Sequence, residues 1–276
     1  MSDDNAAQIE YWNGQAGRTW VEAQARLDRM MAPLSEQLLD AAGPLAGASV
    51  LDVGCGCGDT SLALAVRGAR VHGIDVSEPM LTLARSRAQA IEGVSFQRAD
   101  AATEAFEATR QLLFSRFGVM FFADPVAAFR NLRGALEDEG RLCFLCWQGA
   151  RQNPWMSVAG RAVQPFLPAP ATPPDPRAPG PFAFAEADYV HGILEAAGYT
   201  AIEIDALTPV LHLADDLDEA IAFQQQVGPL ARALAELEGP IREQALDAAR
   251  AALAPHLGPR GLELASACWL VRARAA

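Results

Sequence analysis

The stretch Val50-Leu51-Asp52-Val53-Gly54-Cys55-Gly56-Cys57-Gly58-Asp59 sets an acid two residues ahead of a G-x-G-x-G run. An apolar segment enters it and a helix-forming segment leaves it, which predicts a strand-to-helix turn. Glycine has no Cβ and accepts positive φ, so such a turn brings backbone groups close to a bound molecule. Two nucleotide-type ligands compete for this architecture. Dinucleotide sites use G-x-G-x-x-G, with the third glycine five positions after the first. Here that position is Asp59, and the glycine falls one residue early, at Gly58. Asp52 would repel a pyrophosphate. It suits the ammonium of an amino acid, directly or through the loop backbone.

Two further acids close strand-like segments. Asp75 ends VHGID, twenty-one residues beyond Gly54. A carboxylate there can accept both hydroxyls of an unphosphorylated ribose. Asp100 closes VSFQRAD and is placed to accept from an adenine amine. Singly, an aspartate at a strand end is a turn former or helix cap. Three at consecutive strand ends behind a glycine loop point instead to a ligand made of adenine, ribose and an amino acid. On this reading an Asp75→Ala exchange weakens ligand binding far more than folding.

The elements that must hold these residues follow from hydrophobic period and punctuation. Leu27, Met30, Met31, Leu34, Leu38 and Leu39 recur at helical spacing within residues 11–42, before Gly43-Pro44. Strands are expected at 49–53, 69–75, 94–100, within 111–118 and at 141–147. The helices between them are 60–68, a segment from Ser77 (able to cap it) to about Ala90, and 126–140 after Asp124-Pro125. Beyond 147 the pattern predicts a helix near 186–197 and a strand at about 200–206, extending as far as Leu213. Helical segments over 215–258 and a final strand at 262–275 complete it. Alternating strands and helices imply right-handed crossovers and a doubly wound, mostly parallel α/β sheet with its ligand at the strands' carboxyl ends. The segment 164–181 carries eight prolines and is read as irregular, either a surface linker or a loop over the substrate side.

Composition narrows the function classes. The formal charge is −12 and the pI about 4.8, which opposes nucleic-acid binding. All 22 basic residues are arginine, so lysine Schiff-base chemistry is excluded. No apolar run approaches the ~20 residues of a membrane span, and the acidic N-terminus lacks the marks of a signal peptide. A cytoplasmic protein acting on a small molecule is expected. Five cysteines and four scattered histidines show no metal-ligand spacing. Cys143 and Cys146, three apart on a strand, point to opposite faces. No metal is expected.

The segments VLDVGCGCGDTSLALA, VHGIDVSEPML, VSFQRADAA and LLFSRFGVMFFADPVAAFRNL together resemble the successive motifs of class I S-adenosylmethionine-dependent methyltransferases. The branch resembled includes the ubiquinone/menaquinone-biosynthesis methyltransferases, and the match covers about residues 9–150. The resemblance implies a seven-stranded Rossmann-like methyltransferase fold and S-adenosylmethionine as cofactor. It further implies an N-terminal helical lid at 1–45 and a cofactor-binding core at 46–150. The segment 151–276 would complete the sheet and carry a cap formed by the Pro-rich loop and 215–258.

By that resemblance Asp52, Gly54, Cys55 and Gly56 line the methionine end, and Asp75 holds the ribose. Val76 and Met80 flank the adenine, with Asp100 and Ala101 at its edge. Ser115, Arg116 and Phe117 face the methionine and substrate, and Tyr11, Trp12 and Trp20 close over the cofactor. Helix packing is the other reading of those three aromatics. Trp147, Gln148, Asn153 and Trp155 are read as substrate-facing, with packing and turn roles as the alternative. Candidates for catalytic groups are Arg116, Tyr189 and His191, of which Arg116 cannot serve as a base. Two other function classes share this architecture: a non-catalytic S-adenosylmethionine-binding protein and an NAD-dependent oxidoreductase.

Overall fold

A computed structural model of the chain describes residues 3–168 and 175–275. Two helices open it, α1 (Asp3–Asn13) and α2 (Gln15–Ala41), broken at Gly14. The α2 face carrying Leu27, Met30, Met31, Leu34, Leu38 and Leu39 is buried, the outcome of the helical spacing of those residues. There follow β1 (Ser49–Val53), α3 (Asp59–Val66), β2 (Arg70–Asp75), α4 (Glu78–Arg87), β3 (Val94–Arg98), β4 (Arg110–Arg116), α5 (Pro125–Arg133) and β5 (Leu136–Trp147). The remainder comprises α6 (Pro154–Val163), α7 (Ala187–Ala196), β6 (Tyr199–Leu207), β7 (Val210–Ala214), α8 (Leu217–Gln224), α9 (Pro229–Leu234), α10 (Gly239–Leu253), β8 (Leu257–Gly258), β9 (Gly261–Ala265) and β10 (Cys268–Ala275).

Seven strands form the main sheet in the order β3-β2-β1-β4-β5-β10-β6. The pairs β1–β2, β2–β3, β1–β4 and β4–β5 are parallel, and β10 runs antiparallel to β5 and β6. The order reverses between β1 and β4, so the crossovers leaving their carboxyl ends diverge and open a crevice there. Leu51, Leu112, Leu113, Phe114, Phe144 and Leu145 are inaccessible to solvent, as strands covered on both faces require.

Four local expectations are corrected. LEDEG, read as the end of a helix, belongs to β5. Its helix stops at Arg133, before Gly134, and the β4–β5 register jumps between Arg110↔Leu136 and Leu112↔Arg141, with Glu139 at φ 62° in the bulge. Ser77 precedes α4 but does not cap it; its hydroxyl donates to the Trp12 carbonyl at 2.7 Å.

The extended segments 200–213 and 262–275 are each two strands. Between β6 and β7 lies Pro209, whose carbonyl accepts from the Ser266 amide (3.0 Å) and hydroxyl (2.7 Å) between β9 and β10. Both chains leave the main sheet at that point, and β7 and β9 join β8 in a second, antiparallel sheet. Part of the Pro-rich segment, 169–174, lies outside the described residues. Among the described residues no helix is long and apolar enough to cross a membrane.

Candidate functional site

The glycine loop leaves β1 at the point where the sheet order reverses. Gly54 has φ 68°, and a Cβ there would lie 2.7 Å from the Cα of Gly118, in the turn after β4. A Cβ on Gly118 would in turn meet the Val53 carbonyl at 2.6 Å. The two turns touch through backbone, and only glycine at both positions permits it. Gly118 drew no attention in the sequence; its signal was a lone glycine after a strand, too common to interpret.

Asp75 joins this loop to the next strand. One carboxylate oxygen accepts from the Gly56 amide and the other from the Ser77 amide, both at 2.8 Å. The carboxylate also lines a cavity. Burial pushes its carboxyl up, and those amides pull it back. Asp100 lines the same cavity, accepting from the Ala102 amide (3.0 Å) and from the Asn5 amide group of α1.

Asp52 is not a cavity-lining residue. It is wholly buried behind the loop, where Thr60 (2.8 Å) and Ser61 (2.6 Å) donate to one oxygen while Oδ1 has no partner. The loop stands between its carboxylate and the cavity, so Asp52 bears on a ligand through the backbone it braces. Burial pushes its carboxyl up to about 6.

The cavity, about 620 Å³, opens at the carboxyl ends of β1, β2, β4 and β5. It brings together Tyr11, Trp12, Trp20, Gly54, Cys55, Gly56, Asp75, Val76, Met80, Asp100, Ala101, Arg116, Phe117, Trp147 and Trp155 from the sequence-derived set. The N-terminal helices are clipped onto the β2–α4 turn by Asn13, which donates to the Val76 carbonyl (2.8 Å) and accepts from the Glu78 amide (3.0 Å). Trp12 packs edge-on against Trp20 and Phe121, and the Arg232 guanidinium of α9 lies 5.8 Å from the Tyr11 ring. Burial, reinforced by Asp75 and Asp52, pushes the Cys55 thiol well up, so it stays protonated and non-nucleophilic.

At the β4 tip, Phe117 holds φ 67°, uncommon for a bulky residue, with its ring stacked on Trp147 at 4.0 Å and 6°. Trp155 lies 5.1 Å from Trp147. Behind them Met120, Met156, Leu167, Phe182, Phe223 and Leu230 make an apolar wall drawn from four separate segments. Of these, only Met120 and the residues near it lie within a recognised motif. The others lie outside those motifs and carried no signal in the sequence that they line a cavity.

Several candidates lie elsewhere. Ser115 is buried, donating to the Val53 carbonyl at 2.7 Å, and holds β4 to β1. Gln148 and Asn153 do not face the cavity. Gln148 donates to the Cys268 carbonyl, while Asn153 bonds Gln148, Ala267 and the Trp155 indole, tying β5, β10 and α6 together. Tyr189 packs against Phe184 beneath Arg177, and His191 is exposed on α7; neither reaches the cavity. Arg116 does line it, but its guanidinium is held by Asp59 at 2.5 Å and by Ser35. Its charge is already met, so it braces the loop.

These features fit an adenosyl amino acid. A carboxylate lining the cavity suits a diol, and a backbone-exposed turn suits the amino-acid end.

Residues 50–140 match the family model described as a methyltransferase domain. Aklanonic acid methyltransferase DauC of Streptomyces sp. (strain C5) is 29% identical over 174 residues, 59% of this chain and 74% of that protein. The ubiquinone biosynthesis O-methyltransferase of Thiobacillus denitrificans is 42% identical over 86 residues, 31% of this chain and 37% of that protein's length. Among solved structures, the YcgJ protein of Bacillus subtilis superposes with a TM-score of 0.59 at 17% identity, covering 87% of this chain and 97% of that one, a likeness of fold. Motif order, sheet order and relatives agree: residues 50–140 are a methyltransferase domain, and the chain is similar to class I S-adenosylmethionine-dependent methyltransferases, with S-adenosylmethionine as the cofactor.

Proposed function

We propose that the chain transfers a methyl group to a small, largely apolar acceptor by in-line displacement at an oxygen, nitrogen, sulfur or carbon nucleophile. The observation that carries this reading is a single cavity whose one side is the glycine loop with Asp75 and Asp100, and whose other side is the Trp147–Trp155–Phe223 wall. The names of two relatives, acting on aklanonic acid and in ubiquinone biosynthesis, are in keeping with an organic small-molecule acceptor.

S-adenosylmethionine supplies an electrophilic methyl on sulfonium sulfur, so activation is built into the cofactor. The chain's contribution is alignment and exclusion of water, worth roughly 7–11 kcal/mol where geometry is good. Asp75 would take the ribose, Val76 and Met80 the adenine faces, Asp100 and Ala101 its edge, and Gly54, Cys55 and Gly56 the amino-acid end. Trp12, Trp20 and Tyr11, held down by Asn13, form the lid. Leu167, Pro181 and Phe182 with α8 and α9 form the cap over the acceptor half. No histidine lines the cavity among the described residues, and Arg116 is committed to Asp59. An acceptor that reaches the site already nucleophilic needs no base from the chain.

Thermal-shift assays with S-adenosylhomocysteine and NAD, followed by labelled-methyl transfer to a panel of phenols, amines and thiols, test this. Stabilisation by S-adenosylhomocysteine and label in at least one acceptor are expected. Stabilisation by NAD alone would overturn it, and tight cofactor binding with no transfer to any acceptor would leave a binding protein.

A further inference from the structure

Among the described residues, two cationic side chains line the cavity, Arg116 and Arg232. Arg116 is held by Asp59. Arg232, on α9, is exposed, and among the described residues its guanidinium has neither an ion pair nor a hydrogen bond. Its contact is with the Tyr11 ring of α1, whose centroid lies 5.8 Å from the guanidinium carbon. Both residues line the cavity, so the arginine head stands where the cap faces the lid.

A guanidinium over a ring face uses its flat side there. Its five N–H donors lie in its own plane, so the ring contact leaves them open to a further partner. That planar fork matches the two oxygens of a carboxylate. Phe223, Val227 and Leu230 give the cap's lining an apolar character around this charge. Glu236, two residues beyond α9, is the cap's other charged lining group, and it makes no ion pair with Arg232. The acceptor half of the cavity thus combines an apolar wall with one cation that no carboxylate of the described chain neutralises.

We infer that Arg232 is a specificity-determining residue that binds an anionic group of the methyl acceptor, so that the acceptor class is an apolar body carrying a carboxylate. This deepens the proposed function and rests on it. The apolar body lies along the Trp147–Trp155–Phe223 wall, and the carboxylate points to Arg232 at the cap. The pair fixes which end of the acceptor enters first, and it disfavours neutral molecules of the same shape. Because Arg232 is exposed, the discrimination is moderate and weakens as salt is added.

The test uses the full chain, Arg232→Gln and Arg232→Lys, each checked for a cooperative melt. Calorimetry compares 6-hydroxy-2-naphthoate with its neutral amide, and decanoate with decanamide, with and without S-adenosylhomocysteine. Wild type is expected to bind each acid about tenfold more tightly than its amide, between an exposed ion pair and a charge-assisted hydrogen bond. Arg232→Gln should abolish that preference and Arg232→Lys should keep part of it, with amide binding unchanged in both. Wild type with no preference for the acids, whether it binds both partners equally or neither, overturns the proposal. So does a preference that survives in Arg232→Gln. S-adenosylhomocysteine and 5′-methylthioadenosine, which lacks the amino acid, are titrated alongside. A loss in Arg232→Gln for the first alone would give Arg232 to the cofactor's carboxylate and overturn its role toward the acceptor. Wild type that fails to bind S-adenosylhomocysteine counts against the cofactor reading, while the acid and amide pairs without it still decide the role of Arg232.

Discussion

Arg116, the last residue of β4, and Asp59, the first of α3, meet at 2.5 Å beside the cavity, both largely shielded from water. Their contact ties the strand tip that carries Phe117 to the helix that leaves the glycine loop. Arg87 extends it, standing 3.8 Å from Asp59 and 2.7 Å from Asp28. Two arginines and two aspartates thereby make a neutral brace around a loop with little side-chain packing of its own.

Removing Arg116 should leave Asp59 and Asp28 as neighbouring, partly buried acids. Arg116→Ala is expected to cost about 2 kcal/mol in stability, between an exposed and a fully buried pair. Adding Asp59→Asn should recover part of it. Urea unfolding of the two variants measures this; a loss under about 0.5 kcal/mol would mean the pair behaves like a surface contact.

Asp75 serves the fold as well as the ligand, so its loss is expected to cost stability besides affinity. Two backbone amides lose their acceptor in Asp75→Ala, for a loss of about 2–4 kcal/mol. Asp75→Asn keeps one carbonyl oxygen and should fall between. Both should lose on the order of a hundredfold in S-adenosylhomocysteine affinity, from two bonds to a charged acceptor. Calorimetry below each variant's melting range separates the two effects, and unchanged affinity in Asp75→Asn would remove the ribose role.

Asp52 makes stability depend on pH. Burial disfavours the charge and pushes its folded carboxyl up to about 6, above the ordinary carboxylate range. The folded state therefore holds a proton that the unfolded state has released, and stability falls as pH rises from about 4 to 6, then levels off. The size is about 3 kcal/mol. Asp28 and Asp75 are shifted in the same direction. Asp52→Asn should flatten this part of the profile in urea melts between pH 4.5 and 7.5. An identical slope in wild type and variant would exclude Asp52 as its source.

Asn153 should prove structural. Its amide group donates to the Gln148 and Ala267 carbonyls at 3.0 and 2.9 Å, and its oxygen accepts from the Ala267 amide at 2.9 Å, all in the interior. Asn153→Ala is expected to cost about 3 kcal/mol or more by stranding these groups. Cofactor affinity of the folded protein should be unchanged, which calorimetry checks; a selective loss of affinity would return Asn153 to the site.

What could be read from residue order was what depends on neighbours along the chain. The strand–glycine loop–helix turn at 49–66, Asp75 at a strand end, the Asp124 cap of α5 and the buried stripe of α2 are local in cause. Periodicity and turn chemistry expose them directly. Tertiary structure alone decided which way side chains face when contacts come from far away. Asn153 and Gln148 sit next to Trp147 and Trp155 in sequence, yet they turn to carbonyls of residues more than a hundred positions on. The second sheet and the contact of Gly54 with Gly118 likewise arise where remote segments meet. Period and spacing describe a residue's own element, while burial, partnership and access to the cavity are set by the elements packed against it.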